Sequence, residues 1–345
     1  MANPRVLYTD PAWLVEKGTW SPDRATVERD ILGPEVELRF GPFEDGSYQV
    51  TGPGMLERAA GCEVLVVYRT QVTEELLDAA GERLRVVVRQ GVGTDNLHAE
   101  LLAARGIPAY HIPDYCVDEV AAHTSALALA LERQLIPQHQ TLVGGTFDIY
   151  AGGAPHRTNR RTLGIVGFGR IGRAVARRLG GFYGAVKVYD PYLGRDLAEG
   201  YGAQAVDTLE DLLAESDLVT LHCPLNPKTE GLIDSTALRA MKPGAYLVNA
   251  ARGKLVDPEA LGTALEQEWI AGAGLDVFSP ENPHQDPRWQ PVLRHPRVVV
   301  TSHRAFLSEE AEASSRRRVA ELVRAALDGR TEDQPGRVLP QGAAG

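Results

Sequence analysis

The feature that most constrains this chain is a glycine-rich turn near its middle. A short apolar run, Leu163–Val166, leads directly into Gly167-x-Gly169-x-x-Gly172, and a helical pattern follows. A second apolar run then ends on Asp190. A glycine-rich turn alone occurs in many α/β proteins, but strand, glycine turn, helix, strand and acid in this order are typical of a Rossmann unit. We therefore predict that this stretch binds a dinucleotide.

Each part of the turn has a physical role in such a unit. Gly167 would make the tight turn, Gly169 would let the backbone approach a pyrophosphate, and Gly172 would let helix and strand pack closely. We expect Arg170 and Ile171, which open the helix, at the same phosphates. The helix N-terminus offers them free N–H groups and the positive end of its dipole.

Asp190 favours NAD as the cofactor. Its carboxylate can accept hydrogen bonds from both ribose hydroxyls of the adenosine, and its charge would repel the 2′-phosphate of NADP. Arg195 is the one nearby cation in the sequence that could bind that phosphate. NADP is therefore the alternative.

Length, charge and cysteine content limit the remaining possibilities. A chain of 345 residues suggests about two domains. A net charge of −10 makes nucleic acid and anionic membranes poor partners. We see no apolar run near 20 residues, no signal peptide and no metal-binding pattern. The cysteines are odd in number and far apart, so we expect thiols in a cytoplasmic protein: Cys62, Cys116 and Cys223.

The N-terminal third predicts its own α/β domain. Thr73, followed by two glutamates, is a good helix N-cap. Alternating strands and helices imply a largely parallel, doubly wound sheet. The apolar runs that predict its strands are Val6–Tyr8, Val36–Phe40, Val64–Tyr68 and Leu84–Val88.

The alternation continues beyond Asp190, and Ser308 opens a last helix that can still dock on the first third. We therefore predict two doubly wound parallel-sheet domains. A Rossmann NAD-binding domain, residues 118–304, is inserted into a flavodoxin-like substrate domain, residues 1–117 and 305–345. Residues 135–161 contain several glycines and prolines, too irregular for one element and too long for a plain loop. We predict that they form an arm.

The segment Gly91–Asn96 directly follows a predicted strand, and its residues leave two interpretations open. Two glycines at a strand end can turn backbone N–H groups outward into an anion-binding nest. The alternative is a simple strand-to-helix turn with Asp95 or Asn96 as N-cap. From the residues alone, the two are equally supported.

Together the motifs resemble the D-isomer-specific 2-hydroxyacid dehydrogenases over nearly the whole chain, from about Val64 to Arg330. Two stretches, Val188–Leu193 and His303–Glu309, look most like the branch that holds the C-terminal-binding proteins and phosphoglycerate-dehydrogenase-like enzymes. The motifs that carry the resemblance are Gly91–Asn96, the Gly167–Asp190 unit, Leu221–Leu225, Leu247–Gly253, Gly274–Phe278 with Glu281, and Thr301–His303.

The resemblance implies that Arg252, Glu281 and His303 reduce a 2-oxo acid with NADH. His303 would give a proton to the developing alkoxide near neutral pH. Glu281, hydrogen-bonded to the ring, would orient it and favour its charged form. Arg252 would grip the substrate carboxylate and polarise the 2-oxo group. Taken singly, each of these residues also has a purely structural interpretation.

The same resemblance places further residues around cofactor and substrate. The backbone of Gly91, Val92 and Gly93 would hold the substrate carboxylate, and domain closure would exclude water. Ser302 stands where the family generally has Pro, so we expect a looser loop before His303. Besides the glycine turn and Asp190, the residues implied at the cofactor are His222, Cys223, Pro224, Thr229, Ala250, Arg252, Asp276 and His303.

The sequence constrains the substrate's side chain least. Arg89 and Arg304 add local positive charge to an acidic chain, with Arg69 a weaker third. This favours an acid with a second anionic group, such as a carboxylate, phosphonate or phosphate. Alternatively, Arg304 faces solvent or pairs with a glutamate of the next helix. In that case Tyr68 and Phe306 suggest an apolar pocket.

A second function from another class stays open, namely an NAD(H)-sensing scaffold of the C-terminal-binding protein type. Those proteins retain the same three residues that the resemblance marks as catalytic. We see no long disordered tail for binding partners, which favours the enzyme. The apolar residues of segment 135–161 have no obvious core, and such arms in the family usually cross to a second subunit. We therefore expect a homodimer.

Overall fold

The computed structural model describes residues 3–332 and 334–340, and within them every side chain except that of Arg195. The Arg195 side chain considered for NADP therefore lies outside the described part. So do residues 1–2, 333 and 341–345 of the predicted substrate domain.

The strands of the described residues are mostly short and apolar. In chain order they are β1 Arg5–Tyr8, β2 Val15–Glu16, β3 Thr19–Trp20, β4 Glu37–Phe40, β5 Phe43–Glu44, β6 Ser47–Tyr48, β7 Val64–Val67, β8 Val86–Arg89, β9 Ala109–His111, β10 Thr162–Val166, β11 Ala185–Tyr189, β12 Gln204–Ala205, β13 Leu218–Leu221, β14 Tyr246–Asn249, β15 Gly272–Leu275, β16 Val298–Val300 and β17 Arg337–Val338.

Helices alternate with these strands along most of the chain. They are α1 Thr26–Leu32, α2 Pro53–Ala59, α3 Glu74–Ala80, α4 Ala99–Ala104, α5 Val117–Glu132, α6 Leu135–Val143, α7 Arg170–Leu179, α8 Arg195–Glu199, α9 Leu209–Glu215, α10 Ser235–Ala240, α11 Pro258–Glu266, α12 Gln290–Arg294 and α13 Glu309–Leu327.

The chain divides into two compact units. The first unit is Met1–Tyr115 with Ser308–Gly345, and the second is Cys116–Leu307. The domain bounds predicted from the sequence remain predictions.

The first unit is built on a six-stranded sheet in the order β17-β9-β8-β7-β1-β4. Its five main strands are parallel, and β17 joins the edge of the sheet antiparallel to β9. Numbered along the chain, those five strands have the spatial order 2-1-3-4-5 of flavodoxin-like sheets. The order reverses between β1 and β7, and such switch points are where open α/β sheets bind ligands.

The second unit has a seven-stranded parallel sheet in the order β12-β11-β10-β13-β14-β15-β16. Its first six strands along the chain follow the Rossmann order 3-2-1-4-5-6. Its switch point lies between β10 and β13, which pair from Leu163↔Leu218 to Val166↔Leu221. Hydrophobic clusters cover both faces of the sheet, so its central strands are buried apolar runs. The predicted fold class, two doubly wound parallel sheets, is confirmed.

Segment 135–161 begins with a helix that the sequence did not predict. Residues 135–143 form helix α6, in which Pro137 is the third residue. A proline is tolerated in the first helical turn because the N–H groups there have no partner within the helix. No residue of α6 is buried, and several large apolar side chains of the segment are exposed.

The part of the chain that the structure describes contains neither a membrane-spanning helix nor a cluster of metal-binding side chains. No helix there is long and apolar enough to cross a membrane. No group of three or more His, Cys, Asp or Glu side chains within residues 3–332 and 334–340 could hold a metal ion.

Candidate active site

The glycine turn lies at the switch point of the second unit, between β10 and α7. Gly167 has φ +88°, and a Cβ atom there would come within 2.6 Å of the Cys223 backbone nitrogen. A Cβ atom at Gly172 would overlap the Gly167 carbonyl oxygen, whereas one at Gly169 would meet no atom within 4 Å. The protein therefore needs glycine at 167 and 172 for its own packing. The space at Gly169 is open and lies beside the N-terminus of α7, where we predict the pyrophosphate.

Asp190 directly follows β11, and both of its carboxylate oxygens accept hydrogen bonds from the backbone. Oδ2 accepts from the Phe168 N–H inside the glycine turn at 2.8 Å, and Oδ1 accepts from the Tyr192 N–H at 3.0 Å. The half-buried carboxylate thus fixes the glycine turn to the next strand. Its contact with the adenosine ribose remains a prediction.

The loop after β13 lies against the glycine turn and presents uncharged groups. His222 Nε2 is 3.0 Å from Thr220 Oγ1, and burial lowers the pKa of His222 to about 3. Burial likewise raises the pKa of the Cys223 thiol to about 11. The imidazole and the thiol are therefore both neutral at physiological pH. Thr229 Oγ1 donates to the Pro224 carbonyl at 2.7 Å and so closes the following turn.

Arg252 follows β14 on a loop that a buried asparagine organises. Asn249 Nδ2 donates to the Arg252 carbonyl at 2.9 Å, and Asn249 Oδ1 accepts from the Ala251 N–H at 3.0 Å. Arg252 Nη1 in turn donates to the Ala251 carbonyl at 2.8 Å, which leaves the guanidinium half-buried. A Cβ atom at Gly253 would overlap the Phe278 backbone. The Arg252 loop and the loop after β15 are therefore closely packed.

His303 and Glu281 form the hydrogen bond that the family resemblance implied. His303 Nδ1 lies 2.7 Å from Glu281 Oε1, and both side chains are partly exposed. A carboxylate only accepts, so Nδ1 carries the proton and donates it to Glu281. The Glu281 loop is held by Trp289, whose Nε1 donates to the Ser279 carbonyl at 3.1 Å and whose ring packs edge-on against Phe278.

His303 itself has a left-handed backbone, with φ +52°. The loop around it is tied to Asp276, a fully buried residue just after β15. The Asp276 carboxylate accepts from the N–H groups of Arg304 at 3.0 Å and Ala305 at 2.9 Å, and its backbone carbonyl accepts from the His303 N–H at 2.7 Å. The family resemblance implied Asp276 at the cofactor, and this role stays a prediction beside the structural one.

Ala250, Arg304 and Phe306 complete the predicted set in the second unit. Ala250 is buried directly after β14, and Arg304 is exposed. Within the described residues the Arg304 guanidinium has no ion-pair partner, so of the alternatives considered for Arg304 the pair with a following glutamate is not formed there. The Phe306 ring lies edge-on to the His303 ring, with 6.3 Å between centroids.

In the first unit, Gly91–Gly93 follow β8. Gly91 has φ +155°, and a side chain there would overlap the Arg89 guanidinium. The Gly91 carbonyl accepts from the Ile112 N–H at 3.1 Å, and the Val92 carbonyl lies 2.7 Å from His111 Nδ1. The Gly91 and Val92 carbonyls are thus hydrogen-bonded to the last residue of β9 and the residue that follows it.

The N-cap alternative for this segment is wrong. Helix α4 begins at Ala99 after His98, which makes no side-chain cap. Asn96 instead donates from Nδ2 to the Tyr68 and Thr70 carbonyls, at 3.2 and 2.9 Å. Its amide therefore ties the Gly91–Asn96 segment to the loop after β7.

Asp10 is a buried residue at the switch point of the first sheet that the sequence analysis did not single out. Its carboxylate accepts from the N–H groups of Tyr68 and Arg69, from Arg69 Nε and from the Thr70 hydroxyl, at 2.9–3.2 Å. The Arg69 and Arg89 guanidinium carbons lie 5.9 and 5.3 Å from the Tyr68 ring centroid. The only hint in the sequence was an acid directly after the first apolar run.

Comparisons with known proteins agree with this geometry. Residues 125–305, just over half of the chain, match the family model described as D-isomer specific 2-hydroxyacid dehydrogenase, NAD binding domain. A D-3-phosphoglycerate dehydrogenase from Mycobacterium bovis is 37% identical over 300 residues, which cover 86% of this chain and 54% of that protein. The chain thus spans about half the length of the curated relatives it matches.

Solved structures with the same architecture extend over the whole chain. A D-lactate dehydrogenase from Aquifex aeolicus, complexed with NAD and lactic acid, has a TM-score of 0.84 and 27% identity and covers 97% of this chain and 99% of its own. An NAD-dependent formate dehydrogenase from Staphylococcus aureus, in complex with NAD, has a TM-score of 0.83 and 25% identity, with 98% and 100% covered. The prediction of NAD as the cofactor is confirmed by the matched domain and these complexes.

Proposed function

Because this chain belongs to the D-isomer specific 2-hydroxyacid dehydrogenase family, we propose that it interconverts a 2-oxo acid and the D-2-hydroxy acid with NAD(H). The observation that carries the proposal is the His303–Glu281 hydrogen bond of 2.7 Å. A histidine whose Nδ1–H is bound to a carboxylate is set up to exchange a proton at Nε2.

The side chains have separate tasks in the proposed reduction. Bound NADH supplies the hydride for the substrate's carbonyl carbon. His303 gives the Nε2 proton to the oxygen that becomes the hydroxyl, while Glu281 accepts from Nδ1 and keeps the ring oriented. Arg252 offers a rigid guanidinium fork to the substrate carboxylate. In the oxidation direction His303 takes the proton back.

The test is NADH oxidation with a panel of 2-oxo acids, together with NADH binding measured by fluorescence. We expect turnover of at least one acid that depends on His303. No turnover across a broad panel, with NADH still bound, would favour the NAD(H)-sensing scaffold of the C-terminal-binding protein type.

We further propose that the substrate carries a second anionic group. Arg89 and Arg69 lie on the Tyr68 ring, and the guanidinium of Arg304 is exposed one residue after His303. Curated relatives bear the name D-3-phosphoglycerate dehydrogenase, which denotes a phosphate-bearing acid. An acidic chain that binds a dianion needs such local positive charge.

Finally, we propose a cytoplasmic homodimer that binds neither nucleic acid nor membrane. All three cysteines are free thiols, as expected in a reducing compartment. The net charge of −10 disfavours anionic polymers and anionic membranes. The exposed apolar side chains of segment 135–161 support a second subunit as the partner.

A further inference from the structure

The carboxylate of Asp276 has an unusual set of partners for a fully buried charge. Buried carboxylates are normally paired with a cation or satisfied by several hydrogen bonds. Three of its donors belong to the loop that carries His303: the Arg304 and Ala305 N–H groups and the Thr301 hydroxyl, the last at 2.5 Å. Among the basic side chains that the structure describes, only His123 of α5 lies within ion-pair distance, at 3.5 Å from Oδ1.

The direction of the protons in this cluster follows from its chemistry. Asp276 only accepts, so the Thr301 hydroxyl gives it its single proton. The Thr301 oxygen can then only accept from His123 Nε2, which lies 2.9 Å away. His123 Nε2 therefore carries a hydrogen. The result is a directed string of hydrogen bonds from α5, through Thr301, to Asp276.

The string ends at the backbone of the candidate proton donor. The Asp276 carbonyl accepts from the His303 N–H, and the Asp276 carboxylate holds the two residues that follow His303. His303 has φ +52°, a conformation that a non-glycine residue keeps only where its surroundings hold it. Because α5 packs against β14, β15 and β16, it is a rigid base for the string.

We propose that His123 is a positioning residue that acts through Thr301 and Asp276 to hold the His303 loop in its left-handed conformation. His123 does not itself exchange a proton with the substrate. The role of the loop in turnover rests on the proposed function, whereas its conformation can be measured without any substrate.

The first experiment measures amide hydrogen exchange of residues 303–305 in the full-length protein without ligand. His123→Leu removes the donor at similar volume, and we expect exchange at His303 and Ala305 to become at least about tenfold faster. His123→Gln retains an N–H donor and should restore slow exchange. Ser125→Ala, on the same helix, is the matched control because, among the described residues, the Ser125 hydroxyl bonds only to the Ala121 carbonyl. Unchanged exchange in a folded His123→Leu would overturn the proposal.

The second experiment is a double-mutant cycle on kcat with a 2-oxo acid that the unmutated protein reduces. His123→Leu and Thr301→Val should each lower kcat about 10- to 100-fold, since misplacing a catalytic group by about 1 Å has effects of this size. Together they should lower it little more than either alone, because both break the same string. Fully additive effects, or an equal loss in His123→Gln and His123→Leu, would contradict the string.

The two experiments separate the two proposals. If the unmutated protein binds NADH but reduces no 2-oxo acid, the proposed function fails. Faster exchange in His123→Leu would still establish the positioning of the loop in that case.

Discussion

At the scale of single residues, the environment of His303 decides what it can do. Glu281 accepts from its Nδ1, so the other ring nitrogen is the one available for proton exchange with a substrate. A lone histidine after a strand is more often structural, and the sequence alone does not distinguish the two roles. The contact with a carboxylate 22 residues earlier in the chain is what favours catalysis.

We expect His303→Ala to lower kcat about 10²- to 10⁴-fold and to leave NADH affinity nearly unchanged, because a positioned general acid contributes this much. Glu281→Gln should also lower kcat, since a neutral amide orients the ring less strongly than the charge-assisted hydrogen bond of the carboxylate. Steady-state kinetics with a saturating 2-oxo acid would measure both. The same kcat in Glu281→Gln and the unmutated protein would refute the pairing.

Asp190 leads to a prediction about cofactor choice. NADH should bind at least about tenfold more tightly than NADPH, a difference of about 1.4 kcal/mol, because the carboxylate repels a 2′-phosphate. Asp190→Ala should reduce the difference between the affinities for NADH and NADPH. That variant also loses the acceptor for the Phe168 and Tyr192 N–H groups, so its thermal midpoint must be compared alongside. Equal affinities of the unmutated protein for NADH and NADPH would contradict the prediction.

Arg304 gives a matched test of the second anionic group. One charge-assisted hydrogen bond contributes about 1.5–3 kcal/mol, or about 10- to 150-fold in kcat/KM. We therefore expect Arg304→Ala to lower kcat/KM by that factor for a dianionic 2-oxo acid and to affect pyruvate hardly at all. An equal loss for both substrates, or a preference of the unmutated protein for pyruvate, would favour an apolar pocket with Tyr68 and Phe306.

Residues inside a motif could be proposed from the sequence, whereas residues that act through distant partners could not. The donors to Asp10 on the loop after β7 lie 58–60 residues away along the chain, and Thr301 lies 178 residues from His123. No local spacing rule reports such contacts. A single acid after a strand, or a single histidine on an alanine-rich helix, is compatible with many environments.

At the scale of elements, helix starts were the most predictable feature. Thr73 and Ser308 each accept from a backbone N–H three residues further on, as their sequences predicted. Helix α6 was missed because Pro137 and the glycines that follow obscured its short helical stretch. No residue of α6 is buried in the single chain, so the helix has no core-facing side. Its sequence therefore lacks the apolar pattern that such a side would require.

Two glycines of the turn permit a paired test, with Gly169 predicted to serve cofactor binding and Gly172 to serve packing. Gly169→Ala meets no protein atom within 4 Å, so the free energy of unfolding should barely change while NADH affinity falls, because the added methyl occupies the phosphate space. Gly172→Ala would overlap the Gly167 carbonyl and force helix and strand apart. We expect Gly172→Ala also to lower the free energy of unfolding by about 1–3 kcal/mol. Chemical denaturation would measure the stability of each variant, and NADH titration would measure its cofactor affinity. Equal stability of the two variants would contradict the assignment of Gly172, but not Gly169, to the packing of helix and strand.

At the scale of the whole molecule, the switch point of each sheet explains where the candidate residues of that unit gather. The glycine turn follows β10, the strand at the switch point of the second sheet. In the first sheet Asp10 follows β1 and Tyr68 follows β7, the two strands at its switch point. The alternating pattern was sufficient to predict both sheets. It could not predict the antiparallel strand β17, which is two residues long.

The apolar surface of segment 135–161 leads to the last prediction. Phe147 is 86% exposed, Ile149 69% and Leu142 61% in the single chain, and large apolar clusters of this kind usually mark an interface. We expect light scattering at micromolar concentration to give about twice the chain mass of 37.4 kDa. The double substitution Phe147→Asp with Ile149→Asp should give the monomer, because burying two charges without partners costs more than the contact gains. Phe182→Asp, at an exposed apolar residue outside the segment, should leave the mass unchanged. A mass of 37.4 kDa for the unmutated protein would rule out the dimer at that concentration.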